Sequence, residues 1–88
     1  MKKPIIGFAG LTHLGLNSAI ASAARGFKTM GFHEDKNIVE SLFRNIPHIT
    51  EQGLVEMMKT HSENLQFSAD LKILSKCDIV YIGVDVPT

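Results

Sequence analysis

Between Ile5 and Leu16 an apolar run gives way to two glycines and then to a helix of small residues, and few folds accommodate that succession. Ile5-Ile6-Gly7-Phe8-Ala9 has strand character, Gly10 and Gly15 follow, and a helix begins near Leu14. A strand that turns into a helix through glycines aims the helix's amino end at whatever lies beyond the sheet. Unpaired N–H groups and the positive end of the helix dipole then face a ligand. This is the layout of a dinucleotide-binding βα turn. The usual fingerprint is G-x-G-x-x-G, whereas Gly10-Leu11-Thr12-His13-Leu14-Gly15 reads G-x-T-x-x-G. Taken alone, the motif fits a pyrophosphate site and a plain packing turn about equally.

The rest of the chain supplies the context. Residues 4–9 are continuously apolar, which predicts a strand covered on both faces. Helix one is expected over about 14–25, its buried stripe formed by Leu16, Ile20 and Ala23/Ala24, with Gly26 as its carboxyl cap. A second strand runs from Phe27 to Phe32. Asp35 then caps a helix over about 36–45 that carries Ile38, Val39, Leu42 and Phe43 and stops at Pro47. A third helix is expected over about 51–62, started by Thr50 and Glu51, with Leu54, Val55, Met57 and Met58 available for packing. Leu65-Gln66-Phe67 reads as a short strand, 69–75 as a brief helix capped by Ser68, and Asp78 to Val84 as a fourth strand.

The order β-α-β-α-α-β-α-β predicts an α/β fold, a doubly wound parallel sheet with strand order 3-2-1-4. In that topology the ligand crevice opens between strands one and four. The carboxyl ends of strands one, two and four carry Gly10–Gly15, His33–Asp35 and Val84–Thr88, so three separate segments converge there.

Composition narrows the partners. With 88 residues the chain is one small domain or part of a larger one, and such a chain buries only about 60–65% of its unfolded surface. Nine basic and nine acidic residues cancel, which argues against nucleic acid as a partner. No apolar run approaches the roughly 20 residues that span a bilayer, and the stretch after Lys2 and Lys3 is too short for a signal peptide. The single cysteine, Cys77, has no partner for an internal disulfide, consistent with a reducing compartment; a cytoplasmic protein is expected. Cys77 reads as a small buried residue at the start of strand four rather than a nucleophile. His48 and His61 have no metal-ligand spacing.

Four segments together resemble the N-terminal NAD-binding domain of the UDP-glucose/GDP-mannose dehydrogenase family. Gly10-Leu11-Thr12-His13-Leu14-Gly15-Leu16 is similar to that family's G-x-G-Y-V-G-L. Gly31-Phe32-His33-Glu34-Asp35 stands where it has a small residue, an apolar one and an acid. Ile46-Pro47-His48-Ile49-Thr50-Glu51-Gln52-Gly53-Leu54 is similar to its S-P-I-x-E-P-G-L, the most specific of the four. Cys77 to Thr88 is similar to its fourth strand and V-x-T-P-T ending.

The resemblance implies a Rossmann-like sheet and a four-electron oxidation, a nucleotide sugar's C6 alcohol becoming a carboxylate with NAD as acceptor. It implies cofactor-binding roles for Gly10, Leu11, Thr12, His13, Leu14, Gly15, His33, Glu34, Val84, Pro87 and Thr88. The family's catalytic cysteine, lysine and asparagine lie in its later part, so residues 1–88 correspond to the first half of a cofactor domain and are expected to be inactive alone.

His13 replaces the family's tyrosine, and three further departures bear on cofactor binding. Thr12 replaces the middle glycine, where a β-branched side chain crowds the phosphates unless its hydroxyl donates to one of them. His33 replaces the acid that accepts from the adenosine ribose; a neutral imidazole offers one acceptor and a protonated one offers none, and a cationic ring suits a 2′-phosphate better than a diol. Glu34 takes the acid's role if strand two ends in a bulge. Ile38 stands where the family often has a basic residue. Two readings follow: a nucleotide-sugar dehydrogenase segment that binds NAD weakly, NADP not excluded, and a degenerate Rossmann-like module that serves assembly or regulation. The open apolar edge of strand four predicts self-association.

Overall fold

A computed structural model of the protein describes residues 3–49 and 52–83. Four short strands, β1 (Ile6–Ala9), β2 (Thr29–Phe32), β3 (Leu65–Ser68) and β4 (Ile79–Ile82), form one parallel sheet in the order β3-β2-β1-β4, as the sequence predicts. Ile6 stands level with Thr29 on one side and Ile79 on the other. The register of β4 is fixed at its start by Asp78. Its carboxylate accepts from the Ile5 N–H at 2.7 Å, while its own N–H donates to the Ile5 carbonyl at 2.8 Å.

Helix α1 (His13–Ala24) packs on β1 and β2. Its buried stripe is Gly15, Leu16, Ala19, Ile20 and Ala23; Ala24 is exposed. Small residues at Ala19 and Ala23 let its axis lie close to the sheet. The helix ends in a Schellman motif. The Gly26 and Phe27 N–H groups return to the carbonyls of Ala23 and Ser22, with Gly26 at φ 91.

Helix α2 (Lys36–Phe43) starts on Asp35 as expected, the carboxylate accepting from the Asn37 N–H at 2.8 Å. It ends earlier than the proline predicts. Asn45 adopts φ 60, and the Asn45 and Ile46 N–H groups bond the carbonyls of Leu42 and Ser41, so a left-handed asparagine closes the helix before Pro47 is reached. Helix α3 (Leu54–Thr60) follows, shorter than the sequence predicts. The starting role expected of Thr50 and Glu51 lies outside the described residues. Met58 is buried, whereas Met57 is largely exposed. The fourth helix is a 3-10 segment, Leu71–Lys76, capped by Asp70 instead of Ser68. The Asp70 carboxylate accepts from the Lys72 N–H at 2.9 Å, and the Ser68 hydroxyl accepts from the Asp70 N–H.

The core sits on one face of the sheet. Phe8 and Phe67 meet Leu11, Leu16, Ile20, Val39, Leu42, Leu54 and Met58 from the helices and the loop after β1. Each fully buried side chain of this size contributes about 1.5–3 kcal/mol. Side chains alternate along a strand, so Gly7 faces the other way, toward Leu74 and Cys77 of the 3-10 segment. A Cβ on Gly7 would stand 2.6 Å from the Cys77 sulfur, so the glycine is what lets that segment lie on the sheet.

β1, expected to be covered on both faces, buries Gly7 and Phe8, whereas β4 is exposed along its length. Ile79, Val80, Tyr81 and Ile82 are 43, 41, 55 and 78% exposed. The strand's apolar composition reflects surfaces that nothing among the described residues covers.

Candidate dinucleotide site

The crevice predicted between strands one and four is built from three backbone segments in contact. β1 ends at Ala9, whose carbonyl accepts from the Gly83 N–H at 2.9 Å just past β4. Gly10 follows at φ 111, its N–H donating to the Phe32 carbonyl at the end of β2 at 3.1 Å. A Cβ on Gly10 would collide with the Gly83 carbonyl oxygen, and one on Gly15 with the Gly10 carbonyl oxygen. A Cβ on Gly83 would approach the Gly10 oxygen at 2.8 Å. The two motif glycines and Gly83 therefore bring the turn, the helix's first turn and the β4 terminus together.

Thr12 sits at the centre of this cradle. It is the amino cap of α1, its hydroxyl oxygen accepting from the Gly15 N–H at 3.3 Å and its carbonyl from the Leu16 N–H at 2.8 Å. The sequence reading weighed crowding against phosphate donation and missed this role, although Thr is a common cap and Gly15 falls at the capped third helical position. The hydroxyl's own hydrogen is not used in the cap bond. The side chain also stands 3.4 Å from the points that Cβ atoms on Gly15 and Gly83 would occupy, so it narrows the mouth of the crevice. Leu11 is fully buried beneath. His13 and Leu14 open the helix, both exposed, with Leu14 on an apolar groove of about 500 Å³ shared with Phe8, Tyr81 and Ile82.

His33 leaves β2 with its N–H on the Ser68 carbonyl at 3.1 Å. Its Nδ1 accepts from the Asp35 N–H at 3.0 Å. That bond requires an unprotonated Nδ1, so the neutral ring carries its proton on Nε2 and presents a donor. Glu34 is exposed on the same turn, and Ile38 packs against the core.

The residue that the sequence did not single out is His48. Its Nε2 donates to the Leu11 carbonyl at 2.6 Å, and its ring meets His33 edge to face at 5.3 Å. No spacing rule reveals this contact, because it joins positions 37 apart. Val84, Pro87 and Thr88 lie outside the described residues, so only Gly83 represents the fourth strand's end.

Cys77 is half-buried rather than fully buried, beside Gly7. Burial first, and the Asp78 carboxylate second, raise its thiol above the ordinary value. Less thiolate at a given pH means slower reaction. Iodoacetamide is expected to alkylate Cys77 in the folded chain at pH 8 more slowly than in urea; equal rates would show that the raised value is wrong. Among the described residues no three His, Cys, Asp or Glu side chains gather as metal ligands, and no helix is long and apolar enough to cross a membrane.

An open parallel sheet ordered 3-2-1-4, with a glycine turn feeding a helix at the point where strand order reverses, defines a Rossmann-type nucleotide-binding fold. The pattern of the UDP-glucose/GDP-mannose dehydrogenase family, NAD binding domain, matches residues 4–88, and the chain belongs to that family. It is 28% identical to a UDP-glucose dehydrogenase from the hyperthermophilic archaeon Pyrobaculum islandicum, with a TM-score of 0.88 over 94% of this chain and 20% of that one. A GDP-mannose dehydrogenase from Pseudomonas aeruginosa, 23% identical, shares the fold with a TM-score of 0.86, again over 94% of this chain and 20% of that one. An uncharacterized protein of Methanocaldococcus jannaschii is 30% identical over 83 residues, 93% of this chain and 9% of that protein. The chain thus spans about a fifth of the length of these solved structures.

The amino end of α1, reached through the glycine turn, is the kind of helix start that meets a pyrophosphate in Rossmann-type folds. The strand-two end, with an imidazole in place of a carboxylate, does not reproduce the usual seat for an unmodified ribose.

Proposed function

We propose that this chain is the amino-terminal, cofactor-holding part of a nucleotide-sugar dehydrogenase that oxidises a sugar C6 alcohol to the carboxylate. The observation that carries the proposal is the amino end of α1, which follows the glycine turn where strand order reverses, in a chain matched by the family pattern over residues 4–88. Bound NAD supplies the hydride acceptor. The chain's own residues would hold it: the first turn of α1 and the Thr12 hydroxyl would take the phosphates, and His33 and Glu34 the adenosine. The fourth strand's Val84, Pro87 and Thr88 complete the contact set in this reading. Residues 1–88 supply no group for the oxidation, so the chain alone turns over no nucleotide sugar.

Thr12 and His33 both weaken the NAD site in this account. Calorimetry is expected to give NAD a dissociation constant of about 100 µM or weaker, roughly −5.5 kcal/mol. Thr12→Gly together with His33→Asp should tighten it, since glycine loses only a few tenths of a kcal/mol as a cap. Tight binding to the wild type, or no gain in the double variant, would refute the assigned roles. Absence of any dinucleotide binding in both forms would favour the degenerate assembly module.

A further inference from the structure

We infer that His48 is a positioning residue for the cofactor's pyrophosphate, holding the Leu11 carbonyl and so fixing the Leu11–Thr12 peptide from which α1 starts. The inference rests on the dinucleotide site proposed above. Thr12 is anchored on its carboxyl side: its hydroxyl accepts from the Gly15 N–H and its carbonyl from the Leu16 N–H. Leu11 is anchored by its side chain, which is fully buried in the core. The peptide plane between these anchors joins them through two soft dihedrals, Leu11 ψ and Thr12 φ. Turning that plane over moves neither anchor, so the helix cap and the core leave its orientation open.

His48 closes that freedom. Its Nε2 donates to the Leu11 carbonyl at 2.6 Å. The Leu11–Thr12 peptide is trans, so the Thr12 N–H points to the side opposite the oxygen that His48 holds. A plane turned over would exchange the two and bring a carbonyl oxygen to where an N–H stands, beside the amino end of α1. An oxygen there repels a phosphate, whereas an N–H attracts it and adds to the positive end of the helix. The bond to His48 therefore selects the peptide orientation that suits an anion.

The chain restrains His48 from several sides. Asn45 at φ 60 closes α2 and turns the backbone, Pro47 stiffens it just before the ring, and Ile49 packs against the core just after it. The His33 ring meets the His48 ring edge to face at 5.3 Å, with an interplanar angle of 74°. His33 is itself held, its Nδ1 accepting from the Asp35 N–H at 3.0 Å. The His48 ring thus reaches the glycine turn from a fixed base. It acts on the ligand through the peptide alone, with no contact of its own assigned.

The test is nuclear magnetic resonance titration of the 88-residue chain with NAD, ADP and adenosine, the last of which carries no phosphate. His48→Leu is expected to weaken NAD and ADP by about three- to tenfold, the range for one hydrogen bond, and to leave adenosine unchanged. His48→Asn, polar but too short to reach the Leu11 carbonyl, should behave the same way and serves if the leucine variant does not fold. His48→Gln, which keeps an N–H at that reach, should restore the phosphate-bearing ligands. The carbonyl carbon resonance of Leu11 reports the bond directly and should move in His48→Leu and return in His48→Gln. A merely structural role for His48 would weaken all three ligands equally. Equal loss, no loss, failure of His48→Gln to restore binding, or an unmoved Leu11 carbonyl resonance would overturn the inference while leaving the dinucleotide site standing. No response of the first turn of α1 to NAD or ADP in the wild type would overturn the site, and the inference with it.

Discussion

Gly10→Ala is expected to remove most of the folded population, an outcome read by far-UV circular dichroism and urea denaturation. Two independent effects add. The backbone stands at φ 111, where an L side chain is strained by about 1–3 kcal/mol. The new methyl group would also collide with the Gly83 carbonyl, a backbone atom that cannot rotate aside, and overpacking of this kind costs about 1–3 kcal/mol or more. The whole chain has only about 4–13 kcal/mol of stability at typical values per residue. Gly53→Ala separates the two effects. Gly53 has φ 82 but open space around its Cβ position, so only the backbone strain applies and the chain should stay folded. If Gly10→Ala unfolds at the same urea concentration as the wild type, the contact between the turn and the β4 terminus is not what holds the crevice together.

The second large effect concerns β4. Sedimentation of the 88-residue chain at micromolar concentration is expected to show species larger than a monomer. Among the described residues β4 pairs with β1 on one side only, and no strand covers the N–H and C=O groups of its other side. Four apolar side chains accompany them, with Ile82 at 78% exposure and Tyr81 stacked on Phe8 at 5.5 Å. No proline or lysine within β4 blunts this edge. Pairing of the edge with a second copy satisfies the backbone groups and removes apolar surface from water, worth about 25 cal/mol per Å². Ile82→Lys places a charge on the most exposed position of the strand and should shift the distribution toward monomer with little loss of stability. A folded, strictly monomeric wild type with rapid amide exchange along β4 would show that the edge is tolerated in water.

Much of the fold can be read locally. The alternation of apolar runs with helical stripes sets the parallel sheet, because each element's period shows which surface it must bury. Asp35 and Gly26 mark helix ends through bonds that span only a few residues, and both positions hold. Local reading falters where two local devices compete. Asn45 closes α2 before Pro47 can, since a left-handed asparagine satisfies the last carbonyls at once. The segment after β3 is apolar enough for an α-helix yet settles as a 3-10 turn on Gly7, where the sheet leaves room for a thin layer.

The family pattern marked the glycine turn as a cofactor site, and it marked Thr12 and His33 as departures. What those departures do was decided only by the tertiary structure. Thr12 became a cap because the turn's exit angle places its hydroxyl over the Gly15 N–H. His33 became a donor because Asp35 folds back onto its Nδ1. His48 acquired a role only when the segment after α2 returned across the turn to reach Leu11. Sequence by itself determines what each segment needs to bury and where each helix begins; it does not determine which distant polar groups meet. Those meetings depend on the packing of three helices on one sheet face, where a small rotation of any helix carries a side-chain nitrogen in or out of hydrogen-bond range.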